Sequence, residues 1–268
     1  MPNGTCAVCS GALVPFGEGT VLGDRPVEYM RCTRCGSVVL PDPDWLDAAY
    51  ADAISALDVG LLERCLQLSN VTTALLTTER LGHGRFLDFA GGYGTFTRLM
   101  RDRGYDFRHV DPFCQNVFAS GFEGSLDTQY DLVTAFEVLE HLVDPRGALA
   151  PVAATTDLLL VTTSLLPTPA PKPGAWDYYA EETGQHVLIY TASALATLAE
   201  SLGMQVTSTG RLVHLFHRRP IRRATRLLLR DERLGYAVGA VRSELARRRG
   251  LTALDRLAVV DRLRAPRT

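Results

Sequence analysis

The sequence predicts an α/β protein: an open sheet with helices about it, a small cysteine-closed ribbon ahead and a helical tail behind. Three observations carry this. Arg85 to Met100 reads as a short buried strand (Phe86 to Ala90), a glycine turn, and a helix with Phe96, Leu99 and Met100 at helical spacing. Asp106 to Asp111, Leu132 to Phe136 and the apolar run Asp157 to Ser164 read as further strands. Cys6-x-x-Cys9 and Cys32-x-x-Cys35 are two CxxC pairs separated by 22 residues.

The length of 268 residues suits one α/β domain plus something small. No apolar run approaches the roughly 18 residues of a membrane span, and Met1 to Cys6 has no basic-then-apolar character, so a cytoplasmic location is expected. The net charge of -2 hides an asymmetry: from His217 onward the chain holds 15 Arg against 5 acidic residues, whereas residues 1–216 hold 13 basic and 25 acidic ones. A basic tail on an acidic body can bind nucleic acid, meet an acidic partner or dock on its own body. Lys172 is the only lysine, so the arginine excess reflects genome composition and is no sign of phosphate reading.

Taken in order, the two CxxC pairs bracket turn-prone Gly11, Gly17, Gly19 and Gly23. Cys6, Cys9, Cys32 and Cys35 together close a tetrahedral four-thiolate zinc site with no open position, a structural site standing in for a core that about 40 residues cannot build. Cys65 and Cys114 lie outside the pattern and are expected as buried free thiols. After Pro41 to Asp44 a helical connector is expected from Trp45 to about Leu81, including Ile54 and Leu57, with Tyr50 and Asp58 as candidates for one wall of an acceptor pocket.

The glycine loop lacks the third glycine of G-x-G-x-x-G, because Thr97 stands there. Asp88 precedes it, and a carboxylate there repels a pyrophosphate but welcomes a cation. S-adenosylmethionine carries an ammonium and a sulfonium and no phosphate, so the loop fits that cofactor better than a dinucleotide. Asp111 follows Gly94 by 17 residues, where a carboxylate can accept both ribose hydroxyls. Pro112 and Phe113 come next, Phe113 placed either against the adenine or in the core. Only 20 positions separate Asp111 from Asp131, so the third strand must be short, near Gly121 to Ser125, with Glu123 and Asp127 the acids nearest to it.

Asp88-x-Ala90-x-Gly92-x-Gly94 resembles the first motif of class I S-adenosylmethionine-dependent methyltransferases, and Tyr130 to Pro145, with Phe136-Glu137-Val138-Leu139-Glu140-His141, resembles the fourth-strand motif of their ubiquinone-methylase-like branch. Ala90 stands where that family usually has glycine. The resemblance implies a Rossmann-like, seven-stranded methyltransferase sheet whose cofactor site comprises Asp88, Ala90, Gly91, Gly92, Gly94, Asp111, Pro112, Phe113, Phe136 and Glu137. Trp176-x-Tyr178-Tyr179 and Gly184-Gln185-His186 resemble a segment of branch members that carry a CxxC ribbon, many suited to sugars or natural-product scaffolds.

The titratable groups beyond the fourth strand sit at the end where ligands bind in open α/β sheets. His141 and His186 are the candidate bases that would take a proton from the acceptor. Glu137 is expected to order the cofactor, Glu140 to orient His141, and Tyr178 and Tyr179 to stack on the acceptor. Thr191 to Leu202 reads as a helix capped by Thr191 and stopped by Gly203, followed by an antiparallel strand pair, Met204 to Thr209 and Arg211 to Phe216.

The expected organisation is a zinc ribbon (1–42), a helical connector (43–80), a cofactor-binding domain (81–217) and a basic tail of one to three amphipathic helices (218–268) that dock or dimerise. The expected activity is methyl transfer to a hydroxyl or acidic carbon of a small molecule, with no catalytic metal required. A ribosomal-RNA or tRNA methyltransferase and a non-catalytic scaffold are the alternatives. Against RNA, residues 1–40 hold only Arg25, Arg31 and Arg34 as basic groups, opposed by Glu18, Asp24 and Glu28.

Overall fold

The computed structural model describes residues 4–50, 58–245 and 248–264; Ile54 and Leu57 of the expected connector lie outside the described residues. The elements in chain order are β1 (Leu13–Val21), β2 (Arg25–Cys32), β3 (Val38–Val39), α1 (Leu46–Ala49), α2 (Leu61–Glu79), β4 (Arg85–Phe89), α3 (Thr95–Asp102), β5 (Asp106–Val110), β6 (Leu132–Phe136), α4 (Pro145–Ala154), β7 (Leu158–Thr162), β8 (Leu188–Ile189), α5 (Ala192–Ser201), β9 (Gln205–Ser208), β10 (Val213–His217), α6 (Arg223–Leu228), α7 (Glu232–Leu245) and α8 (Thr252–Arg264). They fall into two compact units, Met1–Asp58 with Ala135–Pro220, and Val59–Thr134 with Ile221–Thr268. Among the described residues no helix is long and apolar enough to cross a membrane.

In the unit that holds the glycine loop, β4 pairs in parallel with both β5 and β6, which sets Asp88 opposite His109 on one side and Thr134 on the other. The core between strands and helices is aromatic: Phe107 stacks at 5.0 Å on Phe86 and meets Phe96 edge-on at 5.5 Å. The expected third strand is reduced to a single parallel bridge, Glu123 to His109. The α/β part therefore has six strands among its described residues where seven were expected, because the 20 residues between Asp111 and Asp131 leave no room for a longer ladder.

The tail folds onto this same unit as three helices. At Gly239, α7 lies so close to α2 that a Cβ would overlap the Asn70 backbone. The carboxylate of Glu79 ends α2 and accepts from the Arg222 amide (2.9 Å) and the Thr225 hydroxyl (2.6 Å), satisfying donors at the start of α6. Arg248 donates to the carbonyls of Gly82 and Gly104 and lies 4.3 Å over the Tyr105 ring. Arg101 on α3 is buried and forms a two-pronged pair with Asp255 of α8, 2.9 and 2.7 Å.

The other unit contains two sheets. The ribbon sheet has the order β1-β2-β3-β8, and the second has β6-β7-β10-β9, with β10 antiparallel to both its neighbours. Strands β7 and β10 are buried throughout, which accounts for the continuous apolar run Leu158 to Val161. Strand β8 was not expected from the sequence: Val38 and Val39 face Ile189 and Leu188, and the Leu40 amide donates to the Val187 carbonyl at 2.9 Å. A core of Val21, Tyr29, Val38, Trp45, Tyr179 and Ile189 fills the space behind this sheet. Helix α5 is capped as expected, the Thr191 hydroxyl accepting from the Ala194 amide at 3.0 Å.

Cys65 and Cys114 are half-exposed and not buried as expected, and neither is in a disulfide.

Burial alone would raise the Asp255 pKa, but the Arg101 and Arg98 guanidinium groups outweigh it and hold it below the usual range. The stabilisation is thus present above pH about 4 and lost as acid protonates the carboxylate. Asp255→Ala should remove one of the two carboxylates that hold the buried Arg101, leaving it Asp106 and the Phe107 carbonyl, and destabilise the protein by about 1–3 kcal/mol in urea denaturation at pH 7.

Candidate functional site

The loop after β4 is built around a buried carboxylate. Asp88, 2 % exposed, accepts from Thr97 Oγ1 at 3.0 Å and from Thr134 Oγ1 at 2.8 Å. Burial pushes its pKa up to about 7 against the pull of both hydroxyls, and Asp111 adds to the rise. Burial thus favours the protonated form more than in an ordinary aspartate, and a bound cation would favour ionisation. Sequence reasoning missed both hydroxyl partners. Thr97 carried a signal, since it occupies the place of the third glycine.

Beyond Asp88 the backbone turns left-handed at Ala90 (φ 55°), Gly92 (φ 58°) and Gly94 (φ 83°). Glycine adopts that conformation freely, whereas at Ala90 the Cβ costs about 1–2 kcal/mol. The Ala90 amide is pinned to the Val110 carbonyl at 2.7 Å. Gly91 is constrained sterically, because a Cβ there would lie 2.8 Å from both the Asp88 Cγ and His109 Nδ1.

Asp111 ties this loop to the turn after β5. One carboxylate oxygen accepts from the Gly92 amide (2.9 Å) and the other from the amides of Phe113 (2.8 Å) and Cys114 (2.9 Å). Pro112 is exposed and Phe113 is 90 % exposed, so Phe113 is no core residue. Glu123 is held by Asn116 and the Gly121 amide, and Asp127 by Ser125.

In the other unit, Phe136 ends β6 and Glu137 follows in the left-handed region (φ 52°), its amide donating to Thr162 Oγ1 at 2.9 Å. Backbone strain on a non-glycine residue at a strand's carboxyl end is a mark of functional sites. A 3-10 turn, Leu139–His141, then carries Glu140 and His141 into a polar cluster with Tyr50, Tyr178 and His186. The rings of His141 and His186 meet edge-on at 4.8 Å, and those of Tyr178 and His186 at 4.7 Å.

The hydrogen bonds of this cluster are asymmetric. His186 Nδ1 lies 2.7 Å from the Tyr178 carbonyl, which can only accept, so Nδ1 carries the proton and Nε2 the lone pair. His141 Nδ1 is held by the Gln185 carbonyl (3.1 Å) and the Tyr50 hydroxyl (2.8 Å). Burial, opposed by Glu140 and assisted by His186, lowers the His141 pKa to about 4 and keeps the ring neutral. The fully buried Glu140 was expected to orient His141. Its Oε1 instead accepts from the Tyr178 hydroxyl at 2.7 Å, and its Oε2 has no hydrogen-bond partner.

Tyr178 is fixed from a second side by the Ser164 amide (2.8 Å) and Thr163 Oγ1 (3.1 Å). Tyr179 is not brought into the cluster. It is 1 % exposed in the ribbon core, edge-on to Tyr29 at 5.2 Å, and its hydroxyl donates to the Pro171 carbonyl.

The four ribbon cysteines converge. Their sulfurs lie within 4.8 Å of one another, with Cys6 to Cys35 at 3.7 Å and Cys9 to Cys32 at 3.4 Å, and all four are buried. These separations exceed a disulfide bond and match the edge of a tetrahedron with ion–sulfur distances of about 2.3 Å, roughly 3.8 Å. The amides of Arg34 and Cys35 donate to Cys32 Sγ, each at 3.4 Å, so the knuckle is shaped to hold negative sulfur. Gly11 packs against it, since a Cβ would lie 2.9 Å from Cys32 Sγ.

Residues 63–209 match a protein family described as "Methyltransferase domain". Among solved structures, the chain is similar to mitomycin 7-O-methyltransferase (17% identity, 65% of this chain and 60% of that one, TM-score 0.46). It is similar also to an O-methyltransferase family protein from Burkholderia thailandensis (15%, 65% and 62%, 0.47) and to the magnesium protoporphyrin IX methyltransferase of Synechocystis PCC 6803 (15%, 65% and 93%, 0.41). The aligned part spans about three fifths of the first two of these relatives. No curated protein matches the chain.

Because the side chains that a Cβ on Gly91 would meet are buried, Gly91→Ala should cost about 1–3 kcal/mol in urea denaturation.

Proposed function

This chain belongs to the methyltransferase-domain family and is a methyltransferase, and from that premise we propose that it moves the methyl group of S-adenosylmethionine to a hydroxyl or acidic carbon of a small molecule of the sugar or secondary-metabolite class. The observation that carries the acceptor side is the His186 tautomer: with Nδ1 committed to a backbone carbonyl, Nε2 offers its lone pair beside Glu140 and Tyr178.

On the cofactor side, Asp88 faces the cationic methionine part, and Asp111 receives the ribose hydroxyls in exchange for some of its present amide bonds. Gly92, in the left-handed region, lets the backbone turn beside the ligand, and Phe113 covers the adenine. The fit is supported by the buried carboxylate, whose pKa burial raises, and by the exposure of Phe113. When bound, the cofactor supplies an electrophilic methyl group. The protein's part is to desolvate it, to hold the acceptor and to take the acceptor's proton at His186, with His141 neutral beside it.

The ribbon is read as a structural zinc knuckle. Its three basic residues are engaged within it or beside it: Arg25 pairs with Asp44, Arg31 lies over Phe16 and Arg34 donates to the Cys9 carbonyl. That leaves little for a phosphate backbone, so the small-molecule reading is preferred to RNA.

Three outcomes test this reading. Calorimetry with S-adenosylhomocysteine should show affinity that rises from pH 6 to pH 8, because the ligand's ammonium favours ionised Asp88 and the proton must leave first. Asp88→Asn should flatten that profile and weaken binding at least tenfold, whereas a flat wild-type profile removes Asp88 from the site. Metal analysis should find one tightly held zinc per chain, lost in Cys9→Ser with a large fall in thermal stability. In a screen of nucleotide sugars and phenolic scaffolds, His186→Ala should lower turnover by about 10²–10⁴ while leaving the S-adenosylhomocysteine affinity unchanged.

A further inference from the structure

We infer that Glu140, His141 and His186 form a second metal site, one that takes a single divalent first-row cation and keeps a coordination position open for the acceptor. One ligand atom from each of the three lies within 4.8 Å of the others. An ion at about 2.0–2.2 Å from each donor needs them about 3–3.5 Å apart, so binding requires the donors to close by no more than roughly 1–2 Å.

The pattern of hydrogen bonds points to an ion more strongly than the distances do. Each of the three side chains has one polar atom fixed from outside and the other unspent. His186 Nδ1 is fixed by the Tyr178 carbonyl, His141 Nδ1 by the Gln185 carbonyl and Tyr50, and Glu140 Oε1 by the Tyr178 hydroxyl. This is how metal-binding histidines and carboxylates are oriented, with the far nitrogen or oxygen held by a carbonyl or hydroxyl so that the near lone pair faces the ion. Glu140 Oε2 supplies an independent sign: it belongs to a fully buried carboxylate and has no hydrogen-bond partner. Such an atom costs free energy unless a proton, a water or a cation meets it.

Two neutral imidazoles and one carboxylate are a donor set for Mn²⁺, Fe²⁺ or Zn²⁺, and three protein ligands leave room for another. The four-sulfur ribbon differs in kind, being closed and buried. His141 and His186 are only half-buried, so solvent or an acceptor can reach the ion.

The catalytic consequence rests on the acceptor-site reading above. With an ion in place, the histidine lone pairs are spent on it and an acceptor hydroxyl becomes the added ligand. Its O–H bond breaks with the proton passing to water, and its electron pair forms the O–CH₃ bond as the S–CH₃ bond breaks to leave the neutral thioether. In the metal-free protein, His186 is left as the base of a slower reaction.

The test uses the full-length protein with its ribbon zinc retained and verified by metal analysis. Mn²⁺ is titrated alone, followed by loss of the free-ion electron paramagnetic resonance signal, because Mn²⁺ prefers nitrogen and oxygen donors and does not compete for the thiolates. The expected result is one Mn²⁺ per chain in the wild type, bound at least tenfold more weakly by Glu140→Gln and by His186→Ala. Circular dichroism and thermal melting of the same variants report whether they fold. No bound Mn²⁺, or equal binding by folded variants, overturns the site. Transfer at equal rates with and without the ion overturns its catalytic part and leaves the base reading standing. A wild type that binds Mn²⁺ as expected but methylates no acceptor upholds the site and defeats the functional reading instead.

Discussion

The chemistry of the ribbon-bearing unit depends on a backbone pairing only two residues long. Val38 and Val39 of β3 face Ile189 and Leu188 of β8, and the Leu40 amide extends the contact to Val187. The same Val187 donates its amide to the Glu140 carbonyl at 2.9 Å. Cys35 stands three residues before β3 and His186 two before β8. The sulfur knuckle is therefore joined to the histidine cluster by one short main-chain ladder, reinforced by the Thr191 hydroxyl, which donates to the Cys35 carbonyl. A ladder this short holds only because Val38, Val39, Leu188 and Ile189 are all at most 1 % exposed.

Burial acts in opposite directions on the two groups of candidate residues. It raises Asp88 toward neutrality and lowers His141 toward neutrality, so each unit presents a polar group whose charged form is suppressed. A cation restores the charge in the first case, and in the second the neutral ring keeps a lone pair available. These are two forms of one arrangement, in which the solvation removed on folding is left for a ligand to replace.

The fold was legible wherever the signal was local. The strand-glycine-helix turn at Arg85 to Met100, the Thr191 cap and the paired CxxC knuckles each lie within a few residues. The third strand was legible as a shortage of chain, and it shrinks to one bridge at Glu123. What escaped was non-local. Leu188 and Ile189 are too few to show an alternation, so β8 is invisible without its partner. Tyr178 and Tyr179 are adjacent and chemically identical, yet one hydroxyl reaches Glu140 while the other ring is buried against Tyr29. Nothing in a run of two tyrosines says which faces a core that only the ribbon creates. Glu140 was placed correctly on the chain but not in its bonding, because Tyr178 lies 38 residues away.

The unit that carries the glycine loop is discontinuous in the chain, built from Val59–Thr134 and closed by Ile221–Thr268. Helix α2 is complete early in synthesis, but α7, which covers it at Gly239, is made some 160 residues later. At roughly 5–20 residues per second the apolar face of α2 is exposed on the ribosome for about 8–30 seconds. The other unit, whose last strand β10 ends at His217, has all its residues before the tail exists. Protein synthesis thus finishes the two units in a set order: the nascent chain completes its sulfur knuckle and histidine cluster first, and its Asp88 loop gains a finished scaffold only when the arginine-rich helices arrive. Chaperone engagement during translation should accordingly centre on α2.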